Sequence, residues 1–496
     1  MNSLKPKTYQ REAVIVWCLF ALLAYFPLFL NLDVLPLRIW DEARLAVNAL
    51  EMTKNHHVLV TYYDSTPDLW NTKPPLLIWC QAVLFMILRP GELALRLPSA
   101  ISGLLSGAAL VYACWKWLHR PWMGLMAALI LVTSAGYIDM HVARSGDYDS
   151  MLTMFVLIVL LCVFRYEQTR SRKALTLLFI SLACAILTKS VQGLMILPGC
   201  ALYLLFTGAW RDFLKEKRTW LGLLGVVIIA GGYYLGREAS GPGYLKTVWE
   251  NDMGGRYGAV DGGHVGSWDH FIHRFIHDSF NTWYLLIPCG IVIGLAHRDL
   301  ALRRWALLLT CAGSCYLIAI SSAATKCNWY DAPLYPVLAA IGAIALHAVF
   351  TWLRDTRLLD TRINAAPFLA FFLAFVLPYS AIFDSVYHIQ ERVWEKDFYQ
   401  PMKFVQDATR GNREPKAEFY CFDGDNAPML FYSMMLHDQG HAFRYIAMTD
   451  IKVGQRVMAS EGLVKQYIES IYTYSMLDSK DEVNVYEITG AKHEQP

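Results

Sequence analysis

The sequence predicts an all-α polytopic membrane protein of about 11–13 transmembrane helices with a small C-terminal extracytoplasmic α/β domain. Three observations predict it. Charged residues make up only 17% of the 496 and the mean hydropathy is +0.31, whereas soluble chains are about 25% charged. The deficit is uneven: the 113 residues from Asp384 onward carry 30 charges, while the 383 before them carry only 56. Apolar runs of span length recur through that longer stretch, separated by loops alternately rich and poor in Lys and Arg. A cytosolic globular enzyme, a disordered chain and a disulfide-stapled miniprotein are excluded by this pattern. A net charge of +2 leaves no nucleic-acid footprint. The eleven cysteines have no zinc or redox spacing and lie mostly inside apolar runs, as buried free thiols do.

Eleven segments qualify as spans: 13–31, 98–118, 122–140, 151–165, 174–189, 193–209, 219–236, 281–297, 304–322, 333–350 and 366–383. A crossing helix needs roughly 17–25 residues, so the shortest are marginal. The first follows Lys5, Lys7 and Arg11 and has no small-residue cleavage site after it, which reads as a retained anchor. The run 75–88 is short for a crossing and reads as an interfacial helix. Short cytoplasmic loops collect Lys and Arg. If 75–88 does not cross, Arg170, Arg172 and Lys173, then Arg211, Lys215 and Lys217, then Arg298, Arg303 and Arg304, then Arg354, Arg357 and Arg362 all share the side of the N-terminus. The expected topology therefore has a cytoplasmic N-terminus, a transmembrane domain over residues 1–383 and a soluble domain over residues 384–496 outside. Two long outer loops, 32–97 and 237–280, form a roof on that face. The tail alternates helix-like stretches (401–409, 463–471) with strand-like ones (418–422, 483–488), which suggests a small α/β unit.

The polar clusters that need explaining fall on the outer side. Trp40-Asp41-Glu42-Ala43-Arg44 follows the first span. An aspartate there can bind a metal, act as a base or be an ordinary solvated loop residue. A base working on a hydroxyl is partly desolvated and held by a cation, and a helix continuing through 45–52 sets Asp41 and Arg44 one turn apart on one face. Asn71-Thr72-Lys73-Pro74-Pro75 opens the interfacial helix, and prolines suit a first turn. Lys73 would then stand at the head of a helix on the membrane surface, where a phosphate meets an ammonium group and helix-end N–H groups. The alternative is a lysine that snorkels to the interface. Arg144-Ser145-Gly146-Asp147-Tyr148-Asp149 caps an outer hairpin, and Asp149 serves equally well as an N-cap. Thr188-Lys189-Ser190 and the run from Thr325 and Lys326 to Trp329, Tyr330 and Asp331 add two more outer cations. Their aromatic neighbours are also ordinary interface anchors. The second long loop holds His264, His270, His273 and His277, of which the last two share a helical face without the carboxylate motif of a zinc enzyme. No Walker or Rossmann fingerprint offers a cradle for a nucleotide donor.

In their order and shared side, these motifs resemble the type-C glycosyltransferases of the protein O-mannosyltransferase and lipid A aminoarabinose transferase (ArnT-like) group. The resemblance rests on Asp41-Glu42-Ala43-Arg44, on Lys73-Pro74-Pro75, on Arg-Leu-Pro-Ser at 96–99 and on Arg144, Asp149, Leu152 and Thr153. It continues in Leu187-Thr188-Lys189, in Lys326, Trp329, Tyr330 and the Pro-Leu-Tyr-Pro run at 333–336, and in Asp252, Met253, Gly255, Arg256, Gly263, His264 and Gly266 of the second loop. It covers roughly 30–350 and implies the type-C glycosyltransferase fold in a bacterial inner membrane, with the C-terminal domain periplasmic. It also implies transfer of a sugar from a polyprenyl-phosphate carrier, such as undecaprenyl phosphate, to an extracytoplasmic lipid A, glycan or protein acceptor. By resemblance Asp41, with Glu42 beside it, stands at the reaction centre and Asp149 is a second catalytic acid. Lys73 meets the carrier phosphate, with Arg256, Lys189 and Lys326 as further cations. Arg44, Asp147, His264 and Tyr330 are candidate substrate contacts. Some aminoarabinose-transferase relatives place a glutamate before Lys-Pro and use it with a histidine to hold a metal; here that position is Thr72. No cofactor is therefore specified, and a divalent metal ion stays open with His264 as its candidate ligand. The alternative function is a transporter or flippase for an anionic lipid-linked substrate. It would want ionisable residues at the bilayer midplane, and the expected spans are nearly free of acidic ones.

Overall fold

A segment surrounded by lipid has to satisfy its backbone polar groups internally, and each of the eleven expected spans carries a helix. The computed structural model describes residues 6–138, 141–255, 257–260, 263–356, 364–392, 395–421 and 426–492. In chain order the principal helices are α1 (Pro6–Phe29), α2 (Asp41–Asn55), α3 (Leu76–Leu88), α4 (Glu92–Lys116), α5 (Pro121–Val132), α6 (Asp149–Thr169) and α7 (Arg172–Lys189). They continue with α8 (Leu197–Thr207), α9 (Lys217–Ser240), α10 (Leu286–Leu295), α11 (Leu300–Ser322), α12 (Tyr335–Thr356) and α13 (Ala366–Tyr387). Among the described residues eight helices are long and apolar enough to cross a membrane, and α3, α5, α8 and α10 are shorter apolar ones. The chain is an integral membrane protein.

Local chemistry sets the helix ends. Pro121 occupies the first turn of α5, where its missing N–H costs nothing. The Ser171 hydroxyl accepts from the Ala174 N–H at 3.3 Å and starts α7. Asp299 accepts from the Ala301 N–H at 3.0 Å and starts α11. Gly208, at φ 73°, ends α8 in the left-handed conformation that glycine adopts without strain. Helices α6 and α7 are largely enclosed, whereas α9 and α13 turn Leu221, Leu224, Val227, Phe372, Leu373 and Leu377 outward as a lipid-facing girdle. Close backbone approach holds the bundle where side chains are small. A Cβ at Gly290 would lie 2.1 Å from the Ile341 carbonyl oxygen, so α10 and α12 touch main chain to main chain there.

Helix α3 is one of the shorter apolar helices. It buries Leu77, Ile78, Gln81, Ala82 and Phe85 and exposes Val83, Met86, Ile87 and Leu88. Beyond α13 the chain forms an α/β unit of helices α14 (Lys396–Thr409), α15 (Ala427–Asp438) and α16 (Gly462–Ile471) with strands β1 (Phe419–Cys421), β2 (Arg444–Ile446), β3 (Arg456–Ala459), β4 (Tyr472–Lys480) and β5 (Val483–Ala491). The sheet order is β2-β1-β3-β5-β4. Strand β1 runs parallel to β2 and β3, and β5 runs antiparallel to β3 and β4. The two strands and two helices expected from the sequence are present, and α15, β2, β3 and β4 complete the unit.

This unit is docked, not tethered. One hydrophobic cluster runs continuously through α2, α3, α14 and α15, including Leu45, Leu50, Ile78, Phe85, Met402, Phe431 and Tyr432. At its edge Glu92, the first residue of α4, accepts from Tyr432 Oη at 2.6 Å and Gln406 Nε2 at 2.9 Å. Arg410 reaches the other oxygen of the same carboxylate at 3.0 Å. The Tyr432 hydroxyl in turn accepts from the Leu37 N–H at 2.9 Å. We expect Glu92→Ala to cost about 1.5–3 kcal/mol of stability, the range for buried hydrogen bonds to a charged group, and to expose α14 and α15 to protease. A proteolysis pattern identical to that of the parent protein would show that the carboxylate does not hold the unit down.

Candidate active site

The site begins with a backbone constraint. Trp40 is held at φ 73°, outside the ordinary range for a residue with a Cβ, and the chain turns there directly into α2. Asp41 is therefore the first residue of the helix. The next residue, Glu42, is 1% exposed. Its Oε1 accepts from Arg96 Nε and from the Gly146 N–H, each at 2.8 Å. Its Oε2 accepts from the Arg38 N–H at 2.7 Å and from Arg96 Nη2 at 3.0 Å. Burial pushes this carboxyl up, but the Arg96 charge and the hydrogen bonds from Arg96 and Arg38 outweigh it and hold the carboxyl below its ordinary value. Glu42, expected beside the chemistry, is thus a structural junction with both oxygens fully engaged. Arg96 spends its remaining donors on the carbonyls of Leu32, Leu35 and Pro36 at 2.8–2.9 Å.

Arg44 also departs from its expected role as a substrate contact. Its guanidinium pairs bidentately with Asp68, at 3.0 and 2.8 Å, and lies over the rings of Tyr63 and Trp70. Asp68 further accepts from Asn48 and from the Trp70 and Asn71 N–H groups. The first loop is folded around this carboxylate. Its next hydrogen bonds position Lys73: the Asn71 side chain meets Asn48 and Tyr148, and the Thr72 carbonyl accepts from Tyr244 Oη at 2.7 Å. The Lys73 ammonium lies 5.5 Å from the Tyr148 ring centroid.

Lys73, Lys189, Ser190, Tyr257 and Tyr330 line one cavity of about 50 Å³. Lys189 Nζ is 2.6 Å from both oxygens of Asp149, and both side chains are almost wholly buried. Asp149 opens α6 and Lys189 closes α7, so the pair joins two helix ends at the cavity wall. Tyr330 lies with its ring centroid 5.7 Å from the same ammonium. Lys189, expected as a phosphate ligand, is therefore first of all the counter-ion of Asp149. Lys326 does not line the cavity. Its ammonium donates to the carbonyls of Ser321 and Ala323, and burial pulls it below its ordinary value, so it acts as a cap on the end of α11. The second loop is pinned beside it: the Lys326 N–H donates to the His264 carbonyl at 3.0 Å, and Ala324 N–H to the Tyr257 carbonyl. Arg256 lies outside the described residues.

A residue that the motif reading missed completes the acidic side. His141 sits at φ 68° in the turn that follows the short helix Ala135–Ile138, stacked on Trp329 at 3.9 Å between ring centroids. Its Nδ1 is 2.9 Å from Asp147 Oδ2, which also accepts from Ser145 Oγ at 2.6 Å. Burial lowers the His141 pKa, but the Asp147 carboxylate, with Asp41 and Asp149 behind it, raises it above the ordinary imidazole value. Asp41, His141 and Asp147 each offer one ligand atom, all within 4.8 Å of one another. His264 is not in that group; its ring lies edge-on to Trp329 at 5.7 Å. His141 and Asp147 lie six positions apart within one short loop, and that spacing was the one signal the sequence held. The site thus has an acidic side of Asp41, Asp147 and Asp149 and a basic side of Lys73 and Lys189, with Trp329 and Tyr330 as its aromatic wall.

Residues 72–233 match the family model described as dolichyl-phosphate-mannose-protein mannosyltransferase. A putative mannosyltransferase, YycA of Bacillus subtilis (strain 168), is 28% identical over 178 residues, 36% of this chain and 25% of the relative. An uncharacterized protein of Aquifex aeolicus (strain VF5) is 26% identical over 195 residues, 39% of this chain and 38% of that one. The chain thus spans well under half the length of these curated relatives. Among solved structures, ArnT from Cupriavidus metallidurans bound to undecaprenyl phosphate superposes with a TM-score of 0.70 at 17% identity, covering 95% of this chain and 97% of that one. Its apo state gives 0.68 at 16% identity. The chain has the ArnT fold, as its motifs implied.

We expect Glu42→Gln to cost about 3–5 kcal/mol, because it leaves Arg96 buried without its counter-charge. Thermal unfolding in detergent measures this. A melting temperature equal to that of the parent would return Glu42 to the chemistry.

Proposed function

We propose that the chain is an integral membrane glycosyltransferase that moves a sugar from a polyprenyl-phosphate carrier to an extracytoplasmic acceptor. The observation that carries this reading is the buried lysine pair, Lys73 and Lys189, lining one cavity, with Lys189 bonded to Asp149 and the Asp41, His141 and Asp147 group close to that carboxylate. An anionic group and a hydroxyl nucleophile need those two chemistries side by side. The ArnT fold and the mannosyltransferase family model over 72–233 support the same class.

In this reaction the bond between the anomeric carbon and the phosphate oxygen breaks, and a bond from the acceptor oxygen to that carbon forms. Negative charge grows on the departing phosphate. Fixed cations there stabilise the transition state more than the bound donor. Lys73 takes this role. Lys189 is already paired with Asp149, so it contributes less net charge and instead fixes the cavity wall. Asp41 receives or orients the proton of the acceptor hydroxyl for in-line attack with inversion. Asp149 shapes the field around the anomeric centre through its bond to Lys189. Asp147 and Tyr330 bound the space for the sugar, and the wall of Trp329 and Tyr330 limits loss of the sugar to water. The acceptor is a lipid, a glycan or a protein on the outer face, with the N-terminus cytoplasmic and the C-terminal unit periplasmic.

Reconstituted protein with a polyprenyl-phosphate sugar tests the reading. Asp41→Asn should lower turnover by about 10²–10⁴-fold, as expected for loss of a general base. Lys73→Ala should abolish transfer while the protein still inserts and elutes as a folded species. Near-parental turnover in both variants would end this reading.

A further inference from the structure

We propose that Asp41, His141 and Asp147 form a binding site for a single divalent transition-metal cation. Three elements deliver the ligands: the first turn of α2, the turn that follows the short helix Ala135–Ile138 and the segment that leads into α6. Their ligand atoms lie within 4.8 Å of one another. Ligands at about 2.0–2.2 Å from one ion stand up to ~4.3 Å apart, so the set closes on an ion with shifts of a few tenths of an ångström.

A second observation points to a ligand independently. Asp147 is 2% exposed, and its Oδ1 has no hydrogen-bond partner among the described residues. Its other oxygen accepts from Ser145 Oγ and lies 2.9 Å from His141 Nδ1. A bound cation supplies the missing partner. Neighbouring cations are engaged elsewhere: Arg96 with Glu42, Arg44 with Asp68 and Lys189 with Asp149. The surroundings are those of a ligand set held in place: Ser145 orients the Asp147 carboxylate and Trp329 fixes the imidazole plane. One imidazole with two carboxylates suits Mn²⁺ or Zn²⁺ better than Ca²⁺. Three protein ligands leave further coordination positions for water or for an oxygen of a bound molecule. The site stands on these contacts and does not rest on the transferase reading.

The test uses the full chain purified in detergent and stripped with a chelator. Mn²⁺ is titrated and followed by electron paramagnetic resonance, with Zn²⁺ as competitor. We expect one Mn²⁺ per chain, displaced by Zn²⁺, with a nitrogen coupling from the imidazole in pulsed spectra. Asp147→Asn and His141→Gln should each weaken binding at least ~10-fold, with elution and melting profiles confirming a folded protein. His264→Gln should retain the ion. Failure of the parental protein to bind either metal overturns the proposal, and so does a bound ion without nitrogen coupling. Parental affinity in both the Asp147→Asn and His141→Gln proteins overturns it as well. Each readout is independent of sugar transfer, so a metal-free active transferase and a metal-loaded inactive protein are distinguishable results.

Discussion

The outer half of this molecule depends on the buried pair of Glu42 and Arg96. Arg96 belongs to a membrane helix, Glu42 to the first turn of the helix that follows the opening loop, and the bonds around them reach Leu32, Leu35, Pro36, Arg38 and Gly146. Separate stretches of chain are thereby referred to one ion pair. Burying two charges is expensive, and the cost is offset only when every lone pair and donor finds a partner. Here both carboxylate oxygens are doubly bonded, which explains why a charged pair tolerates so enclosed a position. The functional consequence is geometric. The Gly146 N–H bond holds the 141–148 turn against the start of α2, and that contact brings Asp147 and His141 to Asp41.

The remaining buried charges follow the same logic with different purposes. Arg44 and Asp68 fold the first loop into a platform, and the hydrogen bonds running from it through Asn48 and Asn71 set the height of Lys73. Asp149 and Lys189 tie the start of one helix to the end of the next. Lys326 is spent on carbonyls at the end of α11. Of the lysines named for an anionic ligand, Lys73 and Lys189 both line the cavity, and Lys189 is bonded to Asp149 there. The C-terminal unit reaches this assembly through Glu92, one helical turn before Arg96, so its docking and the site share a helix end.

Much of this was legible in the sequence because it depends on patterns of long range along one element. Apolar run length marked a helix in each of the eleven expected segments and the helix at 76–88, and among the described residues eight of the helices are long and apolar enough to cross a membrane. Asp41 and Lys73 stood out in the sequence as charged residues beside an apolar helix, and the structure places Asp41 with His141 and Asp147 and Lys73 on the cavity. What was illegible was pairing. Nothing in Asp-Glu-Ala-Arg says that Glu42 turns inward to Arg96 while Asp41 meets His141 and Asp147, since that depends on the positive φ at Trp40 and on a residue 54 positions away. Lys189 and Lys326 look alike in sequence, and their different fates follow from what stands nearest: a carboxylate in one case, helix-end carbonyls in the other. His141 was missed because a lone histidine in a short turn carries no motif, and its significance appears only when Trp329 and Asp147 close around it.

The short helices α5 and α8 have a meaning that reaches beyond packing. At 12 and 11 residues each rises only about 16–18 Å, a little over half of a ~30 Å hydrocarbon layer. The first is followed by the short helix Ala135–Ile138, and the other starts just after Met195 on the cavity wall. Neither helix alone fills the thickness of such a layer, so the neighbouring chain segments, which carry His141 and the cavity-lining Met195, complete the packing at their ends.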